Sequence, residues 1–107
     1  MAFEKHVYVI TNNRNGKKYV GCSQSPFYRF KRHMYLLRTG KHTEPSMQED
    51  YNRYGNCFSY EVICDNGYEG RLLGKEYELM KELKTYDPKY GYNVLDPVMR
   101  PFREEKP

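Results

Sequence analysis

Apolar and polar positions change rhythm several times along the chain, and each change marks an element. Residues 6–10 and 18–23 gather Val7, Tyr8, Val9, Ile10, Tyr19 and Val20, the β-branched and aromatic content of strands. Asn15-Gly16 supplies the positive φ angles of a tight turn between them, which predicts a β-hairpin with Tyr8 and Tyr19 facing each other. The period then lengthens. Phe30, Met34 and Leu37 recur at helical spacing after Ser25, a capping residue, and Pro26, which needs no amide partner. Thr39-Gly40 ends this helix, expected over 26–39.

A second helix starts at Thr43 or Ser46 and passes through Met47 and Tyr51 to Tyr54-Gly55. The stretch FSYEVI, residues 58–63, alternates as a third strand antiparallel to the hairpin. Leu72, Leu73, Tyr77, Met80 and Leu83 share one side of a helix over 69–84, and DPKYGYNVL follows as a turn and a short extended piece. The order ββααβα predicts an α+β domain with a small, mainly antiparallel three-stranded sheet flanked by helices. At 107 residues the chain fits one such domain over 1–96, and the charged, proline-bounded 97–107 reads as a tail or the start of a linker.

Composition narrows the function classes. A net charge of +4 and a pI near 8.9 modestly favour an anionic partner, and fit a slightly basic protein of any function equally well. Cys22, Cys57 and Cys64 form no CxxC pair, which argues against a disulfide framework and a zinc ribbon. No apolar run approaches the roughly 20 residues that span a bilayer, and the N-terminus lacks the order of a signal peptide. Both observations point to an intracellular protein without a membrane partner. Tyrosine is unusually abundant: 12 Tyr against 5 Phe and no Trp, so many rings carry a hydroxyl.

Three positions break the plan. Arg29 and His33 stand one turn apart beside the apolar stripe, either as an ordinary surface pair or as a cation and a titratable ring sharing one edge. Arg32, on a different flank, serves as their contrast. Glu76 lies four residues from both Leu72 and Met80 within the apolar side of the last helix, where it needs a basic partner or a hard cation such as Mg²⁺. Tyr8 and Tyr19 are either packing aromatics or reactive phenols, with Lys17 and Lys18 placed to favour the phenolate. Gly21 removes a side chain where a ligand backbone can approach.

Taken in order, "HVYVITN", "NGKKYVGCS", "YRFKRH", "GKH", "YNRYG", "GKEYELM" and "GYNVLD" resemble the GIY-YIG nuclease family over residues 6–96. His6-Val7-Tyr8 and Tyr19-Val20-Gly21 take the places of the two family triplets, with histidine where the first begins with glycine. The resemblance implies hydrolysis of DNA phosphodiester bonds at one Mg²⁺, with Mn²⁺ as a substitute. It makes Tyr8, Tyr19, Arg29, His33 and Glu76 the catalytic set: Glu76 holding the metal, Arg29 neutralising phosphate charge, Tyr8 activating or orienting water, Tyr19 bonding the nucleophile or phosphate, and His33 assisting Tyr8. Lys17 is expected to help keep the phenol acidic. Lys17, Lys18, Arg32, Arg38 and Lys41 would meet double-stranded DNA, with His42 at the DNA or in solvent and Asn93 bracing the metal side of that contact. Such a protein would act as a monomer or weak dimer, as a phage or homing-type nuclease or the catalytic domain of a longer one. The competing reading is a noncatalytic nucleic-acid-binding module on the same scaffold, for which the tyrosines would serve in base stacking.

Overall fold

The computed structural model describes residues 5–67 and 69–93, with side chains at 6–63 and 76–93. Its elements are β1 (Lys5–Asn12), β2 (Lys18–Ser23), α1 (Pro26–Arg38), α2 (Pro45–Tyr54), β3 (Phe58–Gly67) and α3 (Glu69–Leu83). The strands form one sheet in the order β2-β1-β3, with both pairings antiparallel. The expected α+β architecture is therefore the observed one. The boundary at 96 and the tail over 97–107 lie outside the described residues.

Strand alternation divides the core in two. Tyr8 and Ile10 point to one face, where they pack with Met34 and Leu37 of α1, Met47 of α2, Phe58 and Tyr92. Val7, Val9 and Val20 point to the other face and meet Leu79 and Met80 of α3. The sheet is thus covered on both sides, and β1, in the middle, has its four residues Val7 to Ile10 buried. Helix α1 begins at Ser25-Pro26 as expected, but the Ser25 side chain makes no capping bond. Its position is set by packing: burying Leu37 contributes about 1.5–3 kcal/mol, more than the ~1 kcal/mol of a typical N-cap.

The C-terminal end of α1 sets the course of the next loop. Gly40, at φ +75°, lets its amide donate to Leu37 O and the Lys41 amide to Leu36 O, a pair of bonds that reverses the chain into the 40–44 loop. Helix α2 then starts at Pro45 with Glu44 as N-cap, not at Thr43 or Ser46, because proline fits the first helical position without an amide.

The hairpin turn differs from expectation. The last β1–β2 pair is Thr11–Lys18, and only Gly16, at φ +82°, takes the left-handed backbone in the loop. Asn12 is the reason. Its fully buried side chain accepts from the Arg14 amide at 2.8 Å and donates to Tyr92 Oη at 3.0 Å, which organises a five-residue loop instead of a two-residue turn. The network continues: Tyr92 Oη donates to Asp50 Oδ2 at 2.7 Å, and Asn15 Nδ2 donates to the same oxygen at 3.0 Å. Hairpin, α2 and the 91–93 segment are joined through one buried carboxylate.

Residues 91–93 close the open edge of β2. Gly91 bridges Lys18 in parallel, the Tyr92 amide donates to Lys18 O at 2.9 Å, and the Lys18 amide donates to Tyr90 O at 3.1 Å. Gly91 is needed there, since a Cβ would collide with the backbone of Thr85 and with Lys18 O. Among the described residues no helix is long and apolar enough to cross a membrane.

Asp50→Ala strips the charged acceptor from two donors that are held in place. Urea denaturation is expected to show a loss of about 1.5–3 kcal/mol; an unchanged midpoint would mean that the network does not hold these elements together.

Candidate active site

The site is built around one ring crossing one glycine. Tyr8 pairs with Gly21 across the hairpin, and a Cβ at Gly21 would stand 2.5 Å from both Cζ and Oη of Tyr8. The missing side chain makes room for the phenol itself, not for a ligand backbone. Tyr19 pairs with Ile10, so the two tyrosines are diagonal neighbours on one face, ring centroids 6.5 Å apart, and do not face each other directly.

Helix α1 covers this face and delivers Arg29 and His33. The His33 ring lies edge-on to both tyrosines, 5.1 Å from Tyr19 and 6.5 Å from Tyr8 between centroids, with Nε2 3.5 Å from Tyr8 Oη. Arg29 approaches the Tyr8 hydroxyl closely enough for a side-chain hydrogen bond, and its charge is also felt at His33. From the other side of the sheet comes Glu76, 2% exposed on α3, whose charge bears on the same hydroxyl. The other four of the five expected catalytic side chains therefore converge on Tyr8.

His42, expected at the DNA or in solvent, belongs to this cluster too. It is half-buried and stacked on His33 at 5.0 Å, with Nε2 2.8 Å from His33 Nδ1. Its other nitrogen, Nδ1, accepts from the Glu44 amide at 3.0 Å. Backbone N–H groups only donate, so the neutral His42 ring must carry its proton on Nε2. That proton then points at His33 Nδ1, which leaves the His33 proton on Nε2, facing Tyr8. One amide thus sets two tautomers in series, and the Tyr8 oxygen receives donors from His33 and Arg29. Gln48 holds the loop in register, accepting from the His42 amide at 3.1 Å and donating to Leu37 O at 3.0 Å.

Burial dominates the electrostatics. It pushes the Tyr8 phenol well above its ordinary value, with Tyr19 and Glu76 adding to the rise and Arg29 opposing it. It also lowers His33 to about 4, helped by His42 and Arg29, so this ring is neutral near pH 7. His42 is lowered by burial as well. The expectation that lysines acidify the phenol is not met: Lys17 Nζ lies over the Tyr92 ring at 5.8 Å, and Lys18 Nζ donates to Thr11 Oγ1 at 3.1 Å. Neither ammonium is among the charges felt at the Tyr8 hydroxyl.

Asn93, expected to brace the metal side and grouped with the DNA contacts, is turned to the backbone of β2. It is buried, with Oδ1 accepting from the Val20 amide at 2.9 Å and Nδ2 donating to Val20 O at 3.1 Å. Its amide extends the β2–Gly91 pairing by one step, and so holds the strand segment between Tyr19 and Gly21. Arg32, Arg38 and Lys41 are exposed on α1 and just after it, outside the cluster. Sequence reasoning missed Asp50, which was legible as a carboxylate among Met47, Tyr51 and Tyr54 on one side of α2. It also missed the Glu44 amide and Gln48, for which no residue pattern gives a signal.

The GIY-YIG catalytic domain model matches residues 4–93. The chain belongs to the GIY-YIG family. It is 34% identical over 91 residues to Intron-associated endonuclease 1 of Enterobacteria phage T4, covering 84% of this chain and 36% of that protein. The chain therefore spans about a third of the length of this curated relative. Two solved structures of the catalytic domain of intron endonuclease I-TevI share the fold, one of them an alanine mutant. The mutant aligns with a TM-score of 0.77 at 32% identity over 87% of this chain and 95% of that one; the other gives 0.76 at 32% over 86% and 99%. As a GIY-YIG domain, the chain keeps both tyrosines and the terminal glycine of the second triplet, while His6 opens the first.

Gly21→Ala is expected to destabilise by about 1–3 kcal/mol through the clash with the phenol, and by much less in a Tyr8→Ala background. Equal losses in both backgrounds would show that the ring is not what occupies the space.

The buried His33 ring also leaves a signature in the pH dependence of stability. Between 6.5 and about 4 the unfolded chain binds a proton at His33 that the folded state refuses, so folding stability falls as pH drops through that window. Urea unfolding of wild type and His33→Gln should diverge in slope there; parallel curves would contradict a buried neutral ring.

Proposed function

We propose that this GIY-YIG domain hydrolyses DNA phosphodiester bonds with one divalent cation, Mg²⁺ or Mn²⁺, held by Glu76. The observation that carries the reading is the convergence of a phenol, a guanidinium and a buried carboxylate at the Tyr8 hydroxyl. The donor set suits the metal. Among the described residues no three His, Cys, Asp or Glu side chains cluster, and the His33–His42 nitrogens bond each other, Tyr8 and a backbone amide. A softer cation such as Zn²⁺ would lack ligands here, whereas Mg²⁺ takes one or two carboxylates and fills its shell with water and phosphate oxygens. The bound cation would polarise the phosphate and stabilise the departing 3′ oxygen.

The remaining roles fall to the chain. Arg29 stands exposed beside the buried hydroxyl, so its planar fork can meet phosphate oxygens from solvent and neutralise the charge that gathers on them. The raised pKa of Tyr8 favours orienting the attacking water over abstracting its proton near neutral pH. His33 fixes the phenol through Nε2–H, and Tyr19 packs beside it within reach of the same phosphate. Double-stranded DNA is the partner this site would take, a reading supported by its similarity to two endonucleases.

The test is cleavage of supercoiled plasmid in Mg²⁺. Wild type is expected to nick it, with Glu76→Gln and Arg29→Lys each slower by about a hundredfold or more at unchanged melting temperature. Equal nicking by Glu76→Gln would remove the metal assignment. Salt-sensitive DNA binding by wild type, with no cleavage in Mg²⁺ or Mn²⁺, would favour a binding module instead.

A further inference from the structure

We infer that the outer stripe of α1 is a track for the DNA strand that flanks the cut, with phosphates on its cations and sugars on its tyrosines. The inference rests on the nucleic-acid reading above and extends it to a surface. Tyr28, Lys31, Arg32, Tyr35 and Arg38 recur at spacings of three and four, so they form one continuous stripe opposite Phe30, Met34 and Leu37. The stripe is exposed, Tyr28 at 74% and Tyr35 at 48%, and the whole helix contains no acidic residue. A solvent-facing helix side normally mixes both signs and omits large rings; this one alternates cations with phenols.

The shape agrees with the chemistry. A groove of about 580 Å³ runs along the stripe, and a second hollow of about 320 Å³ is lined by Ser23, Gln24 and Ser25. Tyr28 and Arg29 line both, so the arginine assigned to the reacting phosphate stands where the two hollows meet. A strand laid through that junction has one flank in the basic groove and the other against hydroxyl and amide groups. The nine helical steps from Arg29 to Arg38 cover about 14 Å. That is room for about four phosphates of one strand at ~3.4 Å along the duplex axis.

The cations are poised against rings: Lys31 Nζ lies 5.3 Å from the Phe27 ring and the Arg38 guanidinium 6.0 Å from that of Tyr35. Basic groups interleaved with rings suit the backbone of a duplex without reading its sequence, since every nucleotide offers a phosphate to a cation and a sugar to a ring.

Binding of a labelled random-sequence duplex in EDTA, followed by anisotropy from 50 to 200 mM salt, separates this surface from cleavage. Arg32→Gln/Arg38→Gln is expected to reduce the slope of log K against log salt by about 1.8. Tyr28→Ser/Tyr35→Ser should keep the slope and weaken binding about tenfold through lost apolar contact of the rings with the sugars. Lys81→Gln, on α3 across the sheet, should lower the slope by less than half the double-arginine effect. A silent tyrosine pair, or a Lys81→Gln effect as large as that of the two arginines, overturns the track. Wild type that binds in this way but never cuts leaves the track standing and removes the nuclease reading; wild type that cuts while all three variants bind normally does the reverse.

Discussion

The close passage of the Tyr8 ring over Gly21 is the constraint on which the site depends. A central strand buried on both faces cannot shift, and its side-chain period leaves Tyr8 only one face to occupy. On that face the ring needs the volume that a Cβ at position 21 would fill. Once the ring lies there, its hydroxyl is carried to the place where α1 offers Arg29 and His33 and α3 offers Glu76. The glycine of the second triplet is therefore a packing requirement with a chemical consequence. Gly91, at the opposite edge of β2, works by the same close approach and keeps that strand pinned through Lys18 and Val20.

Electrostatics around the phenol work against ionisation and toward orientation. Burial, Tyr19 and Glu76 hold the proton on, while Arg29 alone among the neighbouring charges opposes them. Burial lowers the pKa of both histidines, with the Arg29 charge adding to the effect at His33, and in the neutral rings a backbone amide at Glu44 settles which nitrogen of each carries the proton. A turn at Gly40 and a glutamine on α2 are thus connected to the direction of a hydrogen bond at Tyr8. A one-turn shift of α2 would disturb a site from which α2 contributes no reacting group.

What could be read from the sequence is what periodicity and residue type encode. The hairpin, α1, α3 and the third strand were legible because Val9, Leu37 and Met80 repeat at the spacing of the element that buries them. Arg29, His33 and Glu76 were legible as polar residues at or beside apolar stripes. Tertiary geometry was not. Asn15-Gly16 has the composition of a two-residue turn, yet the buried Asn12 side chain, bonded to Tyr92 eighty residues away, imposes a longer loop. Lys17 and Lys18 adjoin Tyr19 in sequence, but Lys18 alternates to the other face and Lys17, in the loop before β2, turns to the Tyr92 ring, so adjacency does not decide which ring an ammonium reaches. Asn93 and His42 took their places through partners on other elements, Val20 and His33, that no local pattern reveals.

The central claim is that Tyr8, Arg29 and Glu76 surround one scissile phosphorus. A crystal structure of the wild-type protein on an uncleavable duplex with Ca²⁺ in place of Mg²⁺ tests this directly. The cation is expected on Glu76, the phosphate between it and Arg29, and the Tyr8 hydroxyl on the water side, opposite the departing oxygen. A cation bound away from Glu76, or a phosphate seated beyond reach of Arg29 and Tyr8, would contradict it.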